Sequence, residues 1–287
     1  MKLATYSDRG IVKLGAIKGD GVVDLRKHLP TLPAGMIELI AQWPGVRSQV
    51  REAAEQAAPD VALAGVRLLA PVPRPGKIMA IGLNYADHIR ETGQQAPKDQ
   101  VWFSKAVTSI NGPFDPIELP IASAQVDYEA ELVVIVGKRC KHVPKESAAD
   151  VVFGYCAGND VSVRDWQLRT PQWVLGKSFD THAPIGPWIV TADEIGDPHT
   201  VGIRCLVNGE LRQNSNTKYL VFSVFDQIAH LSTAMTLEPG DAIFTGTPGG
   251  VGLAMNPPKW LSAGDRVRVE IDRIGAIEAV MRAEATP

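Results

Sequence analysis

One short stretch constrains this chain more than any other: VDYEAELVVIVG, residues 126 to 137. From Leu132 to Val136 it contains only aliphatic residues, most of them β-branched, which predicts a buried β-strand. Alternate side chains of a strand point to the same face, so Glu129 and Glu131 are expected to project together, roughly 7 Å apart. Two like charges beside a hydrophobic core are costly unless something compensates them.

The composition narrows the class of protein. Of the 287 residues, 45% are hydrophobic and 21% charged, which are ordinary values for a globular protein. A net charge of −3 gives no reason to expect nucleic acid or an anionic membrane as partner. The three scattered cysteines lack CxxC spacing, which predicts buried thiols rather than disulfides or a zinc site. No apolar stretch approaches membrane-spanning length, and we expect a cytoplasmic protein.

The chain is predicted to divide into two parts, residues 1–70 and 71–287. The first alternates short strand-like segments with a helical stretch, and the proline-rich LLAPVPRPGK that follows indicates a boundary or an extended crossing segment. The second consists mostly of short apolar strands separated by turn residues such as Asn208 and Gly209. One long helix is predicted from the apolar spacing of residues 216–235. The fold class is therefore expected to be α+β.

The two glutamates need a compensating partner. Histidines and cysteines do not cluster near Glu129 and Glu131, so a soft-metal site is not indicated. A hard divalent cation, Mg²⁺ or Mn²⁺, prefers several oxygen ligands and would need a third carboxylate. Asp160 ends the strand-like VVFGYCAGND and is a candidate, although an aspartate there can equally be a helix N-cap. A solvated strand face is the corresponding alternative for the glutamate pair.

Three further segments carry polar residues of interest. GLNYADHIRE places His88 and Glu91 one helical turn apart, where they can form an oriented general base or a simple surface pair. In RDWQLRTPQWVLGKSFD, Arg164 and Gln167 share a helix face, and Lys177 follows in a polar segment where a solvated lysine is the alternative. The segment FTGTPGGVG lacks both GK[ST] and GxGxxG spacing, so nucleotide binding is not predicted there.

Together these motifs resemble a known family. IGLNYADH, DYEAELVVIVG, GYCAGNDVSVRDWQ, LGKSFDTHAPIGPWIV and TGTPGGVG have the order and spacing of the fumarylacetoacetate hydrolase family, over roughly residues 70 to 275. The resemblance implies a mixed β-roll for residues 71–287 and a small N-terminal α/β region for residues 1–70. It also implies a homodimer and a Mg²⁺ or Mn²⁺ cofactor.

The resemblance also implies a role for each candidate residue. The residues that match metal ligands are Glu129, Glu131 and Asp160. Those that match the catalytic group are His88, Glu91 and Lys177. Those that match substrate contacts are Arg164, Gln167 and Thr247. The segment 84–104 is expected to be a lid that carries the catalytic pair to the metal.

The activity implied by the resemblance is cleavage of a 2,4-dioxo acid between C3 and C4, by a hydrolase acting on carbon–carbon bonds in ketonic substances. His88 would deprotonate water, the metal would stabilise the departing pyruvate enolate, and Lys177 would stabilise developing charge. Candidate substrates are acylpyruvates, fumarylpyruvate and 2,4-dioxo-3-deoxy sugar acids such as 2,4-didehydro-3-deoxy-L-rhamnonate. Three carboxylates and a dication predict a formal site charge of about −1.

Two alternatives stay open. Within the same family, the chain can be a 2-oxo acid decarboxylase or isomerase of the oxaloacetate or homoprotocatechuate-pathway type, because the same enolate arises in those reactions. From another class, it can be a non-catalytic metal- or ligand-binding relative. The presence of His88, Glu91 and Lys177 speaks against that last alternative, because a binding protein needs no base. In each case the expected partner is a small-molecule 2-oxo acid.

Overall fold

Short strands dominate the computed structural model, which describes residues 1–93 and 95–285. Its strands, β1 to β19 in chain order, are Lys2–Asp8, Ile11–Lys18, Gly21–Asp24, Val61–Ala62, Arg67–Leu68, Ile78–Gly82, Val101–Lys105, Ile110–Asn111, Ile117–Leu119, Val126–Asp127, Ala130–Val136, Val152–Asn159, Ser162–Val163, Ala183–Thr191, Gly202–Val207, Glu210–Asn216, Ala242–Phe244, Arg266–Ile271 and Gly275–Ala283. Its α-helices, α1 to α6, are Leu25–His28, Met36–Gln56, Ala86–Glu91, Arg164–Gln167, Ala192–Ile195 and Val224–Ala234. None of these described helices is both long and apolar enough to cross a membrane.

Most strands of the described ranges belong to one large mixed sheet. Its order is β4-β3-β2-β1-β14-β12-β11-β17-β6-β7, with β5 added on β1 and β8 on β14. Neighbouring strands pair antiparallel except β17 with β6 and β14 with β8. A sheet this rich in antiparallel pairs, with few helices, confirms the predicted α+β class.

Strand β11 lies inside this sheet, between β12 and β17, and all of its residues are buried. Leu132 and Val134 pack into the core on one face, whereas Val133 and Ile135 pack into the core on the other. Because both faces of the strand are covered, its sequence is a continuous apolar run rather than an alternating one. The buried strand predicted from the sequence is confirmed.

A second sheet closes the core on one side of β11. Its order is β16-β15-β18-β19-β9, and Ile203 of β15 shares a core with Val134 and with Ile228 of α6. The predicted hairpin turn joins β15 to β16, and its residues Asn208 and Gly209 have φ angles of 53° and 80°. This left-handed conformation suits asparagine and glycine, which explains why they occur there.

The first seventy residues pack directly against the rest of the chain. Strand β1 pairs with β14, with Lys2 opposite Val190, so the N-terminal strands extend the large sheet. On helix α2, Leu39 and Ile40 join the same core as Val133. The two predicted parts therefore share a sheet and a core, and a domain boundary near residue 70 stays a prediction.

The long helix predicted for residues 216–235 is wrong in its first half. A 3₁₀ turn occupies Thr217–Tyr219, and α6 begins only after Ser223. Ser223 Oγ accepts a hydrogen bond from the N–H of Asp226, whose carboxylate accepts one from the N–H of Ser223. This capping box satisfies two backbone donors at that point, so it sets the helix start despite the helical spacing of the apolar residues before it.

The contact between β12 and β14 provides a test of the packing. A Cβ on Gly154 would lie 2.3 Å from the carbonyl oxygen of Val190. Displacing the backbone to relieve this clash costs free energy. We therefore expect Gly154→Ala to lower the free energy of unfolding by about 1–3 kcal/mol. Urea unfolding followed by circular dichroism measures this change.

Gly45→Ala is the matched control. Gly45 lies on helix α2, and a Cβ added there would meet no atom within 4 Å outside its own helix. Alanine favours helix over glycine, so this variant should gain about 0.5–1 kcal/mol. Equal stability of the two variants would contradict the proposed close approach of β12 and β14.

Candidate active site

Three buried carboxylates form the centre of the site. In the antiparallel β11–β12 pair, Ala130 lies opposite Asn159, and the N–H of Asp160 donates to the carbonyl of Glu129 at 2.8 Å. Glu131 follows Glu129 by two residues, so both side chains emerge on one face. One carboxylate oxygen from each of Glu129, Glu131 and Asp160 lies within 4.8 Å of the others. The strand register therefore brings together the three residues that the sequence motifs single out.

Two buried lysines contact these carboxylates. Lys177 Nζ lies 2.7 Å from Glu129 Oε2 and 2.8 Å from Asp160 Oδ2. Lys105 Nζ lies 2.5 Å from the other oxygen of Asp160. Lys105 is the last residue of β7, which pairs with β6. Its side chain reaches the carboxylate cluster at Asp160. The sequence motifs include Lys177 but give no indication of Lys105.

Arg164 is directed at acidic groups of the protein itself. Its Nε donates to Asp127 Oδ2 at 2.8 Å, and its Nη1 lies 2.7 Å from Glu129 Oε1. Nη1 also donates to Gln167 Oε1 at 2.8 Å. Arg164 thereby holds Glu129 in position and orients the amide of Gln167, whose side chain lines the cavity. The substrate contacts expected of Arg164 and Gln167 stay predictions.

Asp127 connects Arg164 to the glycine-rich loop that follows β17. It is fully buried, and its carboxylate accepts hydrogen bonds from the N–H groups of Tyr128, Gly252 and Leu253 at 2.8–3.0 Å. With Arg164 as a further partner, both oxygens of Asp127 are used. Asp127 lies two residues before Glu129 in the motif VDYEAELVVIVG, a spacing from which the sequence could have identified it.

The carboxylates have different electrostatic surroundings. Burial alone would raise the pKa of Glu129, but Lys177 and Arg164 outweigh it and lower the pKa to about 2. Burial, and then the charges of Asp160 and Glu129, raise the pKa of Glu131 well above its ordinary value. Within residues 1–93 and 95–285, no basic side chain forms an ion pair with Glu131. Its charge is therefore the one that a further cation would stabilise most.

The donor set fits a hard divalent cation, because three clustered, buried carboxylates offer only oxygen ligands. The formal charge of about −1 expected from the sequence counts only three carboxylates and a dication, whereas the described chain adds an acid and three bases around the cluster. Those added groups are Asp127, Lys105, Lys177 and Arg164. With Glu91, which contacts His88 beside the same cavity, five acids against three bases leave a formal charge of −2 without a metal and 0 with a dication. A dication would therefore offset the negative charge that would otherwise repel an anionic ligand.

His88 and Glu91 lie on α3 beside the same cavity. His88 Nδ1 lies 2.8 Å from Glu91 Oε1, and the N–H of Gly250 donates to Glu91 Oε2 at 2.7 Å. The predicted contact between the imidazole and the carboxylate is confirmed. Because Glu91 occupies Nδ1, the other ring nitrogen of His88 is left for a ligand.

Aromatic side chains form an apolar part of the cavity wall. The rings of Phe103 and Trp173 lie 5.6 Å apart, and Lys177 Nζ lies 4.9 Å from the centre of the Phe103 ring. A Cβ on Gly82 would approach the Trp173 ring to 2.4 Å, so the glycine permits this close packing. The apolar wall limits access of water to the carboxylates, which strengthens the electrostatic interactions inside.

Thr247 completes the wall, in the loop that follows β17. Its Oγ1 accepts a hydrogen bond of 2.8 Å from Nε2 of Gln213, a fully buried residue of β16. No local pattern in the sequence identifies Gln213 or Lys105, because each reaches the site through strands distant in the chain.

Known proteins are similar to this chain over most of its length. Residues 77–282 match the family model described as fumarylacetoacetate (FAA) hydrolase C-terminal. The chain is 46% identical over 283 residues to oxaloacetate tautomerase fahd2, mitochondrial, of Xenopus laevis, covering 96% of this chain and 89% of that protein.

Solved structures agree with these sequence matches. Maleylpyruvate hydrolase from Sphingobium sp. SYK-6, in complex with manganese(II) and pyruvate, has a TM-score of 0.84 at 37% identity, over 99% of this chain and 100% of that one. 2-Hydroxyhepta-2,4-diene-1,7-dioate isomerase from Mycobacterium marinum has a TM-score of 0.78 at 31% identity, over the whole of both chains. The expected β-roll fold is confirmed, and the chain belongs to the fumarylacetoacetate hydrolase family.

Proposed function

We propose that this chain is a divalent-metal-dependent isomerase that interconverts the keto and enol forms of a 2-oxo dicarboxylic acid of the oxaloacetate class. The observation that carries the proposal is the meeting, in one buried cavity, of three carboxylates with a single oriented imidazole. Proton transfer between two atoms of one substrate needs only one such base. The 46% identity to an oxaloacetate tautomerase over nearly the whole chain supports the same activity.

This proposal adopts the isomerase alternative in place of the hydrolase that the motifs first favour. Glu129, Glu131 and Asp160 would hold the Mg²⁺ or Mn²⁺ ion. When bound, the ion supplies Lewis-acid polarisation of the 2-oxo group, which acidifies the neighbouring C–H bond.

His88 moves the proton in this proposal. Glu91 accepts the Nδ1–H of His88, so in the neutral imidazole the second ring nitrogen is the one that carries the lone pair. That nitrogen takes a proton from C3 of the substrate, a C2–C3 double bond forms, and the same nitrogen returns the proton to the C2 oxygen. Lys177 uses two of its three N–H groups on Glu129 and Asp160. Its third can donate to the oxygen on which charge develops.

The remaining polar residues bind and orient the substrate. The oxygen of Gln167 is occupied by Arg164, so its NH₂ group is the part available to a substrate oxygen. Thr247, which also lines the cavity, offers a hydroxyl. For Arg164 the contacts favour a positioning role, because they are directed at Asp127 and Glu129.

Hydrolysis of a 2,4-dioxo acid is the second candidate. A maleylpyruvate hydrolase with 37% identity is structurally similar over essentially the whole chain. In this reaction His88 would take its proton from water rather than from C3, and the C3–C4 bond would break. The lid expected over residues 84–104, of which Gln94 lies outside the described residues, would serve either reaction. The homodimer and the cytoplasmic location stay predictions.

The metal requirement is tested by binding. Glu131→Gln removes the carboxylate with no basic partner in the described chain, so we expect its dissociation constant for Mn²⁺ to rise at least about 100-fold, by analogy with losses of metal-site residues. Isothermal titration calorimetry measures this constant. The matched control is Glu146→Gln, a change on an exposed glutamate, which should bind Mn²⁺ as the wild type does. Unchanged binding by Glu131→Gln would remove the cluster from consideration as a metal site.

The role of His88 as the base is tested by measuring the turnover of a variant. His88→Ala should lower kcat by roughly 10²–10⁴-fold, the usual contribution of a general base, while Mn²⁺ affinity stays nearly constant. His230→Ala changes an exposed histidine of α6 and should leave both quantities unaltered. Normal turnover in His88→Ala would exclude the proposed proton transfer, and a large loss of Mn²⁺ affinity would give His88 a structural role instead.

The reaction is tested with a panel of substrates. In D₂O, the Mn²⁺-loaded protein should exchange the C3 protons of oxaloacetate well above the uncatalysed rate, as followed by proton NMR. A coupled dehydrogenase reports pyruvate released from maleylpyruvate or an acylpyruvate, and CO₂ evolution reports decarboxylation. If pyruvate forms from a dioxo acid much faster than enolisation occurs, the hydrolase is the correct function. If CO₂ release is fastest, the protein is a decarboxylase.

A further inference from the structure

Gln213 makes three hydrogen bonds between separate parts of the site. It is fully buried on β16. Its Oε1 accepts from the N–H of Ala130, at 2.9 Å. Its Nε2 donates to the carbonyl of Pro248 and to Oγ1 of Thr247, both at 2.8 Å.

The orientation of this amide is fixed by its backbone partners. A backbone N–H can only donate, so the atom of Gln213 that faces Ala130 must be the oxygen. A backbone carbonyl can only accept, so the atom that faces Pro248 must be the nitrogen. A flipped amide would place two donors together at Ala130 and two acceptors together at Pro248. The second N–H of Nε2 is therefore the one directed at Thr247.

This orientation determines the polarity of the Thr247 hydroxyl. Because Oγ1 accepts from Gln213, the hydroxyl hydrogen must point away from it. In the described part of the chain, residues 1–93 and 95–285, the hydroxyl donates to no protein acceptor. Thr247 lines the cavity that contains Glu129, Glu131 and His88. The hydrogen is thus available to a ligand in that cavity.

We infer that Gln213 is a positioning residue that makes Thr247 a hydrogen-bond donor to an anionic oxygen of the substrate. A threonine hydroxyl can otherwise rotate and act as donor or acceptor. The donor from Gln213 removes that choice, so the site does not need to reorient the hydroxyl when a carboxylate or a developing oxyanion arrives. This inference rests on the proposed function for one point, that the ligand is a 2-oxo acid.

A purely structural role is the competing explanation. Gln213 also joins Ala130 of β11 to the loop at Pro248, and either bond alone could account for a buried glutamine. The two explanations differ in one respect. If Gln213 acts through the hydroxyl of Thr247, removing that hydroxyl should abolish the effect of changing Gln213 on ligand binding.

The test is a double-mutant cycle with oxalate as probe, measured by calorimetry in the presence of saturating Mn²⁺. In Gln213→Glu the carboxyl group can still accept from Ala130. The ionised carboxylate has no hydrogen to donate. The protonated carboxyl has one, which it donates to the carbonyl of Pro248. In both forms the Thr247 hydroxyl turns toward the new acceptor and away from the cavity. Oxalate affinity should fall about tenfold to 100-fold, the usual effect of losing a hydrogen bond to a charged group.

Thr247→Val should weaken oxalate binding by a similar factor, and the double variant should bind no more weakly than either single variant. Thr247→Ser, which keeps the hydroxyl, should bind nearly as the wild type does. Asn214→Asp is the matched control, because it makes the same amide-to-acid change on an exposed neighbour in β16. It should leave oxalate affinity unaltered. Losses that multiply in the double variant would overturn the inference, as would full affinity in Thr247→Val.

Thermal unfolding establishes which variants are folded before binding is measured. Should Gln213→Glu fail to fold, Gln213→Met replaces it. The Thr247 hydroxyl can then rotate freely, so oxalate affinity should lie between those of the wild type and Thr247→Val, and wild-type affinity would overturn the inference. If the wild type itself binds no oxalate, the proposed ligand class fails. Oxalate binding that is unaffected by Thr247→Val refutes only the role of Gln213.

Discussion

Compensation of buried charge governs the arrangement of this molecule. Four carboxylates lie next to a strand whose two faces are covered by hydrophobic side chains, and isolated charges in such a place would be strongly destabilising. Three cations form ion pairs with Asp127, Glu129 and Asp160. Each cation comes from a different part of the chain: Lys105, Arg164 and Lys177. Strand β11 can therefore adopt its position only if β7, α4 and the segment after α4 pack around it. Loss of Arg164 would leave Asp127 without a cationic partner, whereas Glu129 and Asp160 each contact two cations and would keep one.

Proteins of the same family carry names for several different reactions. The relatives found include a tautomerase, an isomerase and a hydrolase, and the structural relatives share the whole fold with this chain. All three names describe chemistry in which electrons move toward an oxygen of the substrate. In the function proposed here, a cluster of carboxylates with one base would serve each of them, and the reaction would depend on which substrate atom lies beside His88. Fold alone cannot identify it.

Sequence patterns predict this site unevenly, for physical reasons. Glu129, Glu131 and Asp160 are recognisable because they flank two strands of one hairpin, and a strand alternates with a period of two residues. Lys105 and Gln213 are not, because they belong to β7 and β16, neither of which pairs with β11 or β12. The start of α6 is also mispredicted: the apolar spacing continues through residues 216–223, but the Ser223 capping box satisfies backbone donors that a longer helix would use.

The double cover of β11 has a consequence for motion. Val133 and Ile135 belong to the core that includes α2, and Leu132 and Val134 belong to the core that includes the second sheet. Separation of this strand from its neighbours requires both cores to open, so its amide hydrogens will exchange with solvent only in the most extensive unfolding events. Helix α3, by contrast, contacts the glycine-rich loop through single hydrogen bonds such as that between Glu91 and Gly250. We therefore expect the carboxylates to lie in the slowest-exchanging part of the protein, and the segment that carries the imidazole to open at lower free-energy cost.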